Sequence, residues 1–445
     1  MKRIDIQVNG GSGLLFNDIT NIEEFLKIEL NHLKYGKSFI IPTFITDSYE
    51  KMGKFVDILL QRISLNEKKY KINDNTIILP KLWGIHIEGP FITNKGTHPK
   101  EFLKDFNEKN INDIINILKP LGNLPIIITI APELLLENIG DNKKLIKKLK
   151  KELNITTSAG HTKITKEDFK KIQDILEDDK FLMLTHFHNA MLEGHFRGNI
   201  DGIPSYLMEN YFNGYFGFIT DGQHTSSGEL IPTLLNYYDK ICIISDCASP
   251  ANCIVDKTNN LFKMGGSIGV VEQKENELPS FFWTDFSKTD NEKIKNKQLS
   301  EKELYNLYIK GQGGYKTLAG SAVNLNQCYS FLKNFNIEEE LNKSKNNPKT
   351  KLLLEKGLQK NNITESEIKS FLNKIIEKMF FENQLKAINL EKDIIEYEII
   401  DNKLYKNNKL YIDFECDFGD FLKQNIPDQT LLKEELINDI KKYSL

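Results

Sequence analysis

Eight short runs of β-branched and aromatic residues alternate, up to residue 245, with longer charged segments of helical periodicity. The runs span 3–8, 38–44, 81–87, 125–130, 155–159, 181–186, 215–220 and 240–245. Short apolar strands linked by segments of helix length are typical of a parallel sheet with helices on both faces. Eight is the number of strands that closes a barrel. We therefore predict an α/β fold of the TIM (β/α)8 barrel type, with a doubly wound open sheet as the alternative.

The composition and the sequence pattern of the chain change beyond about residue 330. The segment 338–393 is dense in lysine, glutamate and asparagine and contains amphipathic stretches such as 368–376, which predicts helices packed on the barrel or on a partner. The runs 394–400 and 409–414, joined through 406–408, are typical of a β-hairpin. We predict a barrel domain over 1–330 and a helical extension over 331–445 that ends in this hairpin.

Composition excludes several classes of protein. The 445 residues carry a net charge of −3, which gives no electrostatic case for binding nucleic acid or an acidic membrane. We find neither an apolar stretch of membrane-spanning length nor an apolar signal segment after the first residues, so we expect a cytoplasmic protein. The five cysteines are scattered and outside any Cys-x-x-Cys pair, which favours free thiols.

Polar residues with affinity for metals follow the predicted strands. Seven of the eight histidines lie between positions 86 and 224, and the reacting groups of a (β/α)8 barrel lie where its strands end. Glu88, His161 and His186 would supply one carboxylate and two imidazoles to a divalent metal. Asp246, after the eighth strand, would exchange a proton with the metal-activated water.

For other residues in the same region the sequence leaves the role open. His86 shares a strand face with Glu88, so both ligation and support of the ligands stay open for it. His188 and His195 are expected in a loop, without an assigned role. Arg197 is one of only three arginines; its guanidinium could bind a carboxylate or phosphate, or it could be an ordinary surface residue.

A series of motifs in fixed order resembles one known family. The motifs are Asp-Ile-Gln-Val-Asn-Gly at 5–10, Pro-Thr-Phe-Ile-Thr at 42–46, His-Ile-Glu-Gly-Pro-Phe at 86–91, Lys-Gly-Thr-His at 95–98, Ala-Pro-Glu at 131–133, Ala-Gly-His at 159–161, Thr-His at 185–186 with Asn-Ala-Met at 189–191, Asp-Gly at 221–222 with His224, and Leu-Ala-Gly-Ser at 318–321. Over residues 3–330 the set resembles the N-acetylglucosamine-6-phosphate deacetylases of the amidohydrolase superfamily. His-x-Glu-Gly-Pro-Phe with Lys-Gly-x-His is its most specific part.

The resemblance implies roles for individual residues. Glu88, His161 and His186 match the metal ligands, and Asp246 matches the catalytic aspartate. His98 matches the histidine that polarises the acetamide carbonyl. Four further residues match substrate-binding positions of the family: Asn189, Ala190, His224 and, at the phosphate, Arg197.

The resemblance also implies an activity. This is the deacetylation of N-acetylglucosamine 6-phosphate, in amino-sugar metabolism, to glucosamine 6-phosphate and acetate, with a metal-activated water attacking the amide carbonyl and Asp246 as general base and then acid. The partner would be this small amino-sugar phosphate, and the assembly a homodimer. The alternatives are a hydrolase of another N-acyl sugar phosphate or amide, and a catalytically silent protein that binds sugar phosphates.

The chain departs from the family pattern in three places. Gln7 and Asn9 replace the His-x-His pair that holds a second metal in many amidohydrolases, so we predict one divalent ion per subunit, zinc first, with iron, manganese and cobalt as alternatives. The first strand starts at Arg3, where the family has some fifty preceding residues, so the N-terminal half of its β-sandwich would be missing or truncated. The extension after residue 330 is atypical.

Overall fold

The computed structural model describes residues 2–196, 200–210, 212–225, 228–256, 258–265, 267–275, 277–285, 299–312, 314–389, 396–416 and 418–442. Its strands are β1 (Ile4–Val8), β2 (Gly10–Gly11), β3 (Leu14–Leu15), β4 (Phe39–Ile45), β5 (Lys69–Ile72), β6 (Asn75–Ile78), β7 (Ile85–Glu88), β8 (Ile126–Ile130), β9 (Ile155–Ala159), β10 (Met183–Leu184), β11 (Tyr215–Ile219), β12 (Ile241–Ile244), β13 (Leu261–Met264), β14 (Ser267–Glu272), β15 (Ser280–Asp285), β16 (Tyr315–Leu318), β17 (Tyr397–Ile400), β18 (Lys403–Lys406) and β19 (Lys409–Asp413).

The helices alternate with these strands over the first half of the chain. They are α1 (Ile22–Asn31), α2 (Tyr49–Ser64), α3 (Glu108–Leu118), α4 (Ile139–Glu152), α5 (Lys166–Leu176), α6 (Ile203–Glu209), α7 (Leu230–Tyr237), α8 (Glu301–Ile309), α9 (Leu325–Asn334), α10 (Ile337–Ser344), α11 (Pro348–Asn361), α12 (Ile368–Glu377), α13 (Asn383–Ala387) and α14 (Gln429–Lys442).

Eight parallel strands form the central sheet, in the order β1, β4, β7, β8, β9, β10, β11, β12. The first and last strands of this order also meet: Val8 pairs with Cys247 in a parallel bridge, and the Asp246 amide donates to the Gln7 carbonyl at 3.1 Å. The sheet is thus closed. All eight predicted strands are present, and the predicted (β/α)8 barrel is confirmed.

Local sequence accounts for the barrel helices. Asparagine, serine or threonine side chains accept a backbone N–H at the start of four of them, namely Asn21, Ser48, Asn107 and Thr165. Such caps satisfy donors that a helix leaves unpaired. In α3 the buried residues Ile111, Ile114, Ile115 and Leu118 recur with the spacing of one helix face, and this face packs into the main core.

A second sheet follows the eighth barrel strand. Strands β13 to β16 pair antiparallel in chain order, and α8 and α14 pack together against this sheet through an apolar cluster that includes Leu304, Tyr308 and Leu432. This second sheet lies within the range 1–330 that we expected to be all barrel. The position of the domain boundary stays a prediction.

Helices α9 to α13 and strands β17 to β19 share apolar clusters with the barrel. Helix α11 lies so close to α7 that a Cβ on Gly357 would be 2.6 Å from the Leu235 Cβ, which explains a glycine inside this helix. Strands β17, β18 and β19 form a three-stranded antiparallel sheet, where a two-stranded hairpin was expected. The described chain also continues past this sheet into α14, so it does not end on the hairpin.

Two further properties concern the whole described chain. None of its helices combines the length with the apolar character that crossing a bilayer requires. Cys242, Cys247, Cys253, Cys328 and Cys416 are free thiols, as the sequence predicts.

Candidate active site

The four residues predicted to form the reacting centre lie at the ends of four barrel strands. Glu88 is the last residue of β7, whereas His161, His186 and Asp246 each follow two positions after a strand ends. These last three have left-handed backbone conformations, with φ of 49°, 30° and 51°. Such a residue turns the chain sharply, and all four side chains are buried.

Three of these side chains converge on one point. The Nε2 atom of His186 lies 2.9 Å from the Oε1 atom of Glu88 and 3.1 Å from the Nε2 atom of His161, and His161 Nε2 lies 3.2 Å from the same Glu88 oxygen. A tetrahedral zinc ion with bonds of about 2.0–2.1 Å spaces its ligands about 3.3 Å apart. The triangle is therefore close to the size that one metal ion needs.

The second ring nitrogens support this fit. Nδ1 of His161 lies 2.6 Å from the carbonyl oxygen of Asn94, and Nδ1 of His186 lies 3.2 Å from that of Asn189. A carbonyl only accepts, so each Nδ1 carries a hydrogen, and each Nε2 can present its lone pair to a bound ion, as in metal-ligating histidines. The residues present fit a divalent metal ion.

His98 is a further histidine near this point. Glu88, His98 and His161 each offer a ligand atom within 4.8 Å of the others, but His186 is closer to both Glu88 and His161 than that. Nδ1 of His98 lies 2.9 Å from the Thr46 hydroxyl, which orients the ring. By these distances His186, rather than His98, completes the triangle with Glu88 and His161, which we call the ligand triangle.

The charges of the triangle reinforce one another. Burial would raise the pKa of Glu88, but the hydrogen bonds and charges of His161 and His186 outweigh burial and hold it well below its ordinary value. Burial would likewise lower the pKa of His186, yet the hydrogen bond and charge of Glu88 raise it. For His98 burial prevails and lowers the pKa to about 3, so this imidazole is neutral at pH 7.

Asp246 is held beside the triangle by two amides of the first strand. Nδ2 of Asn9 and Nε2 of Gln7 donate to its Oδ1 at 2.9 and 3.0 Å, and the Gln7 amide also donates to Glu88 Oε1 at 3.2 Å. Burial raises the pKa of Asp246 above its ordinary value. The carboxyl group is thus positioned to accept and return a proton near neutral pH.

These groups line one cavity of about 920 Å³, within the range of small-molecule sites. Its wall also contains the predicted substrate residues Asn189, Ala190 and His224. Nδ1 of His224 lies 2.7 Å from the Asp221 carboxylate. Of the predicted site residues, Arg197 alone lies outside the described part of the chain.

The remaining histidines of the crowded region separate into two groups. His86 lies in the barrel interior, where its Nε2 is 2.7 Å from the Thr129 hydroxyl, so it supports the strand rather than the ligand triangle. His188 and His195 also line the cavity. Both nitrogens of His188 are buried without a hydrogen-bond partner among the described residues.

Part of the cavity wall could not be inferred from the barrel pattern. Met264, Trp283, Asp285 and Lys316 line it and come from the antiparallel sheet β13–β16. They follow no predicted barrel strand, so only the tertiary placement of that sheet identifies them. Thr46 lies within a family motif, but no sequence signal pairs it with His98.

Comparisons with known proteins agree with this geometry. No protein-family model matches the chain. N-acetylglucosamine-6-phosphate deacetylase of Haemophilus influenzae is 28% identical over 250 residues, which cover 56% of this chain and 58% of that protein. N-acetylgalactosamine-6-phosphate deacetylase of Shewanella sp. is 28% identical over 252 residues, or 56% of each protein. The chain thus spans little more than half the length of these curated relatives.

Solved structures extend the likeness to the fold. The crystal structure of N-acetylglucosamine-6-phosphate deacetylase from Pasteurella multocida matches with a TM-score of 0.58 at 20% identity, over 92% of this chain and 82% of that one. The corresponding protein from Thermotoga maritima gives a TM-score of 0.54 at 18% identity, over 92% and 88%. The resemblance inferred from the motifs is confirmed: this chain is similar to N-acetylglucosamine-6-phosphate deacetylases in sequence and in fold.

Proposed function

We propose that the chain removes the acetyl group from N-acetylglucosamine 6-phosphate, giving glucosamine 6-phosphate and acetate. The observation that carries this proposal is the convergence of Glu88, His161 and His186 within 3.2 Å of one another, with Asp246 beside them in the same cavity. A protein that only binds a sugar phosphate has no need of a ligand triangle with an adjacent proton acceptor.

Glu88, His161 and His186 would hold one divalent ion per chain, which we propose is zinc because two imidazoles and a carboxylate suit it. Such an ion activates water and polarises a carbonyl group when bound. Gln7 and Asn9 donate to Asp246, and amides are poor ligands for a transition metal, so no second ion is expected at the first strand.

The residues of the chain divide the proton transfers and the charge stabilisation between them. Asp246 takes the proton of the attacking water and returns it to the amine nitrogen as the carbon–nitrogen bond breaks. Neutral His98 donates an N–H to the carbonyl oxygen as negative charge develops there. Asn189, Ala190 and His224 would position the sugar phosphate, and Arg197 would pair with its phosphate.

The cavity rim is consistent with an anionic substrate. Lys95, Lys100, Lys163 and Lys316 line the cavity, and lysines around a cleft raise the local concentration of anions. The sugar itself is a separate question, because relatives named for the glucosamine and the galactosamine compounds are equally identical to this chain, at 28%.

An acetate-release assay tests this function. Full-length protein loaded with zinc is given N-acetylglucosamine 6-phosphate, N-acetylgalactosamine 6-phosphate and unphosphorylated N-acetylglucosamine. Turnover of the first compound alone is the expected result. Faster turnover of the second compound would change the proposed sugar from glucosamine to galactosamine but leave the proposed deacetylation unchanged. No turnover of any compound by a folded, metal-loaded chain would contradict the proposal.

The setting of the enzyme follows from the same proposal. We propose a cytoplasmic homodimer that has neither nucleic acid nor a membrane as a partner. The net charge of −3 and the resemblance support this assignment. Sedimentation equilibrium of the metal-loaded chain measures its oligomeric state, and a monomer at micromolar protein concentrations would contradict the dimer.

A further inference from the structure

Two loops contain Asn189, Ala190 and His224, which in the proposed function position the sugar phosphate. Loop six consists of the described residues between β10 and α6 and contains Asn189 and Ala190. Loop seven consists of the described residues between β11 and α7 and contains His224. Both line the cavity, so their conformation determines where a substrate lies relative to the ligand triangle.

Loop six has an unusual backbone. Left-handed conformations occur at six non-glycine residues of it: His186, His188, Ala190, Glu193, His195 and Phe196. Each of these costs free energy that contacts elsewhere must offset. Loop six therefore needs bracing from outside itself.

Lys349, in the first turn of α11, supplies one brace. Its ammonium group pairs with the carboxylate of Glu193 and with that of Asp201, the latter at 2.9 Å. The Glu193 side chain is fully buried, and it accepts the backbone N–H groups of Gly202 and Ser205 at 2.8 and 3.1 Å. The lysine thus neutralises a buried carboxylate that ties loop six to the start of α6.

Three further contacts lie nearby. The Glu340 carboxylate, on α10, accepts the backbone N–H groups of Gly228 and Leu230, at the end of loop seven and the start of α7, at 2.8 and 3.0 Å. The Asn347 side chain donates to the Phe196 carbonyl of loop six at 3.3 Å. Between the two loops, Nδ1 of His195 lies 2.8 Å from Glu229. Segment 340–349 therefore contacts both loops, which also contact each other.

We propose that α10 and α11 hold loops six and seven in the substrate-binding conformation within a single chain, with Lys349 and Glu340 as positioning residues. This inference rests on the proposed function for its substrate, but its contacts lie away from the ligand triangle. Loss of Lys349 leaves the Glu193 carboxylate buried and unneutralised, which is costly. The carboxylate then turns towards solvent, and Gly202 and Ser205 lose their acceptor.

Kinetics and amide exchange of the zinc-loaded, full-length chain test the proposal. In Lys349→Ala we expect the KM for N-acetylglucosamine 6-phosphate to rise by about fivefold or more while kcat stays within about twofold, because binding rather than chemistry is disturbed. Amide exchange at Gly202 and Ser205 should accelerate in the same variant. Lys349→Arg keeps the charge and should restore both properties.

Matched variants separate positioning from general destabilisation. Lys345→Ala removes a lysine four residues earlier that pairs with the partly exposed Glu365, and it should change neither KM nor the rate of amide exchange.

If Lys349→Ala does not fold, Glu340→Ala is the second variant. In it we expect faster amide exchange at Gly228 and Leu230 and a higher KM. Unchanged exchange, or a fall of kcat at constant KM, would overturn the proposal. If the wild-type chain turns over no substrate, the proposed function fails, and the exchange rates still decide whether the two helices hold the loops.

Discussion

The side chain of Gln7 contacts both carboxylates of the candidate centre. It donates to Glu88 at 3.2 Å and to Asp246 at 3.0 Å, so a single amide holds the proposed metal ligand and the proposed proton acceptor in place. The backbone carbonyl of the same residue accepts the Asp246 N–H. The first strand thus positions Asp246 through both side chain and backbone.

Replacing Asp246 by asparagine separates proton transfer from metal binding. Asn9 and Gln7 can still contact an amide at that position, and the ligand triangle does not include Asp246, so metal content should be unchanged. Turnover should fall by about 10²–10⁴-fold, the usual contribution of a general acid–base group. Acetate release and metal analysis on the same sample measure both quantities. Asp18→Asn, at a partly exposed carboxylate, is the control, and turnover by Asp246→Asn close to that of Asp18→Asn would contradict the role.

The pair Asp221 and His224 gives a pH dependence of known sign. Burial would lower the pKa of His224, but the charge and hydrogen bond of Asp221 raise it above the ordinary value of 6.5. A raised pKa stabilises the fold fully below the unfolded-state pKa, and this contribution is lost as pH rises through the folded-state pKa. In the metal-free chain, His224→Gln should therefore cost about 1 kcal/mol more at pH 5.5 than at pH 9. Urea unfolding at both pH values measures this, and an equal loss at both would contradict it.

The sequence could predict the ligand triangle but not all of its surroundings. Glu88, His161, His186 and Asp246 follow recognisable strands, and a barrel brings all strand ends to one face. The partner of His98, Thr46, comes from a neighbouring strand end with no spacing signal. The roles of Asn189, Ala190 and His224 came from the resemblance alone and stay predictions.

Helices α1 and α2 are joined by a buried ion pair. The guanidinium of Arg62 donates to both oxygens of Glu29, at 2.6 and 2.8 Å, and to the Pro80 carbonyl at 2.7 Å. Its side chain is fully buried and that of Glu29 is only 6% exposed. A bidentate pair in this setting fixes the two helices in one relative position.

Removal of Arg62 should therefore be severe. Arg62→Ala leaves the Glu29 carboxylate buried without a partner, and we expect a loss of about 3–5 kcal/mol in the free energy of unfolding. Lys54→Ala, on the same helix, breaks the exposed pair with Glu50 and should change the free energy of unfolding far less than Arg62→Ala does, because water screens exposed pairs. Denaturant unfolding of the two variants compares them; similar losses would contradict the difference in burial.

Element boundaries were predictable where strands were long and apolar. Strands β8 and β12, for example, are buried at every residue, and each is a nearly continuous apolar run. Strand β18, by contrast, has four residues, of which only Leu404 is buried. Its sequence therefore lacks the apolar pattern of a strand, and the sequence predicts a two-stranded hairpin in place of the three-stranded sheet. The antiparallel sheet β13–β16 was not predicted, because α8 lies between β15 and β16 along the chain and separates two strands that pair in space.

At the scale of the molecule, metal binding should be coupled to folding. Glu88, His161 and His186 follow three different strands, so an ion bound to all three stabilises only a chain in which these strands have come together. With zinc at about one hundred times its dissociation constant, the folded state should gain about 2.7 kcal/mol. Thermal unfolding with and without zinc measures the gain, and Glu88→Ala should abolish it. Metal analysis should give one equivalent per chain, and two would contradict the role of Gln7 and Asn9.

The order of the strands is the part of the architecture that the sequence determines most fully. Eight apolar runs with crossover segments leave few arrangements open, because such connections are right-handed and parallel strands need them. Packing of the segment after residue 325 was not predictable, since its charges nearly balance and its apolar faces could suit either the barrel or a partner. The contacts of Glu340 and Lys349 with the two loops became visible only in three dimensions.

The barrel closes where Val8, at the end of the first strand, pairs with Cys247, after the last strand. This placement fixes the order in which parts of the candidate site can form during synthesis. Glu88, His161 and His186 leave the ribosome before Asp246, and β1 has a free edge until β12 arrives. A nascent chain can therefore bring its three proposed metal ligands together while the barrel is still open. The proposed hydrolysis would need Asp246 as well, so the affinity for metal would precede the ability to use it.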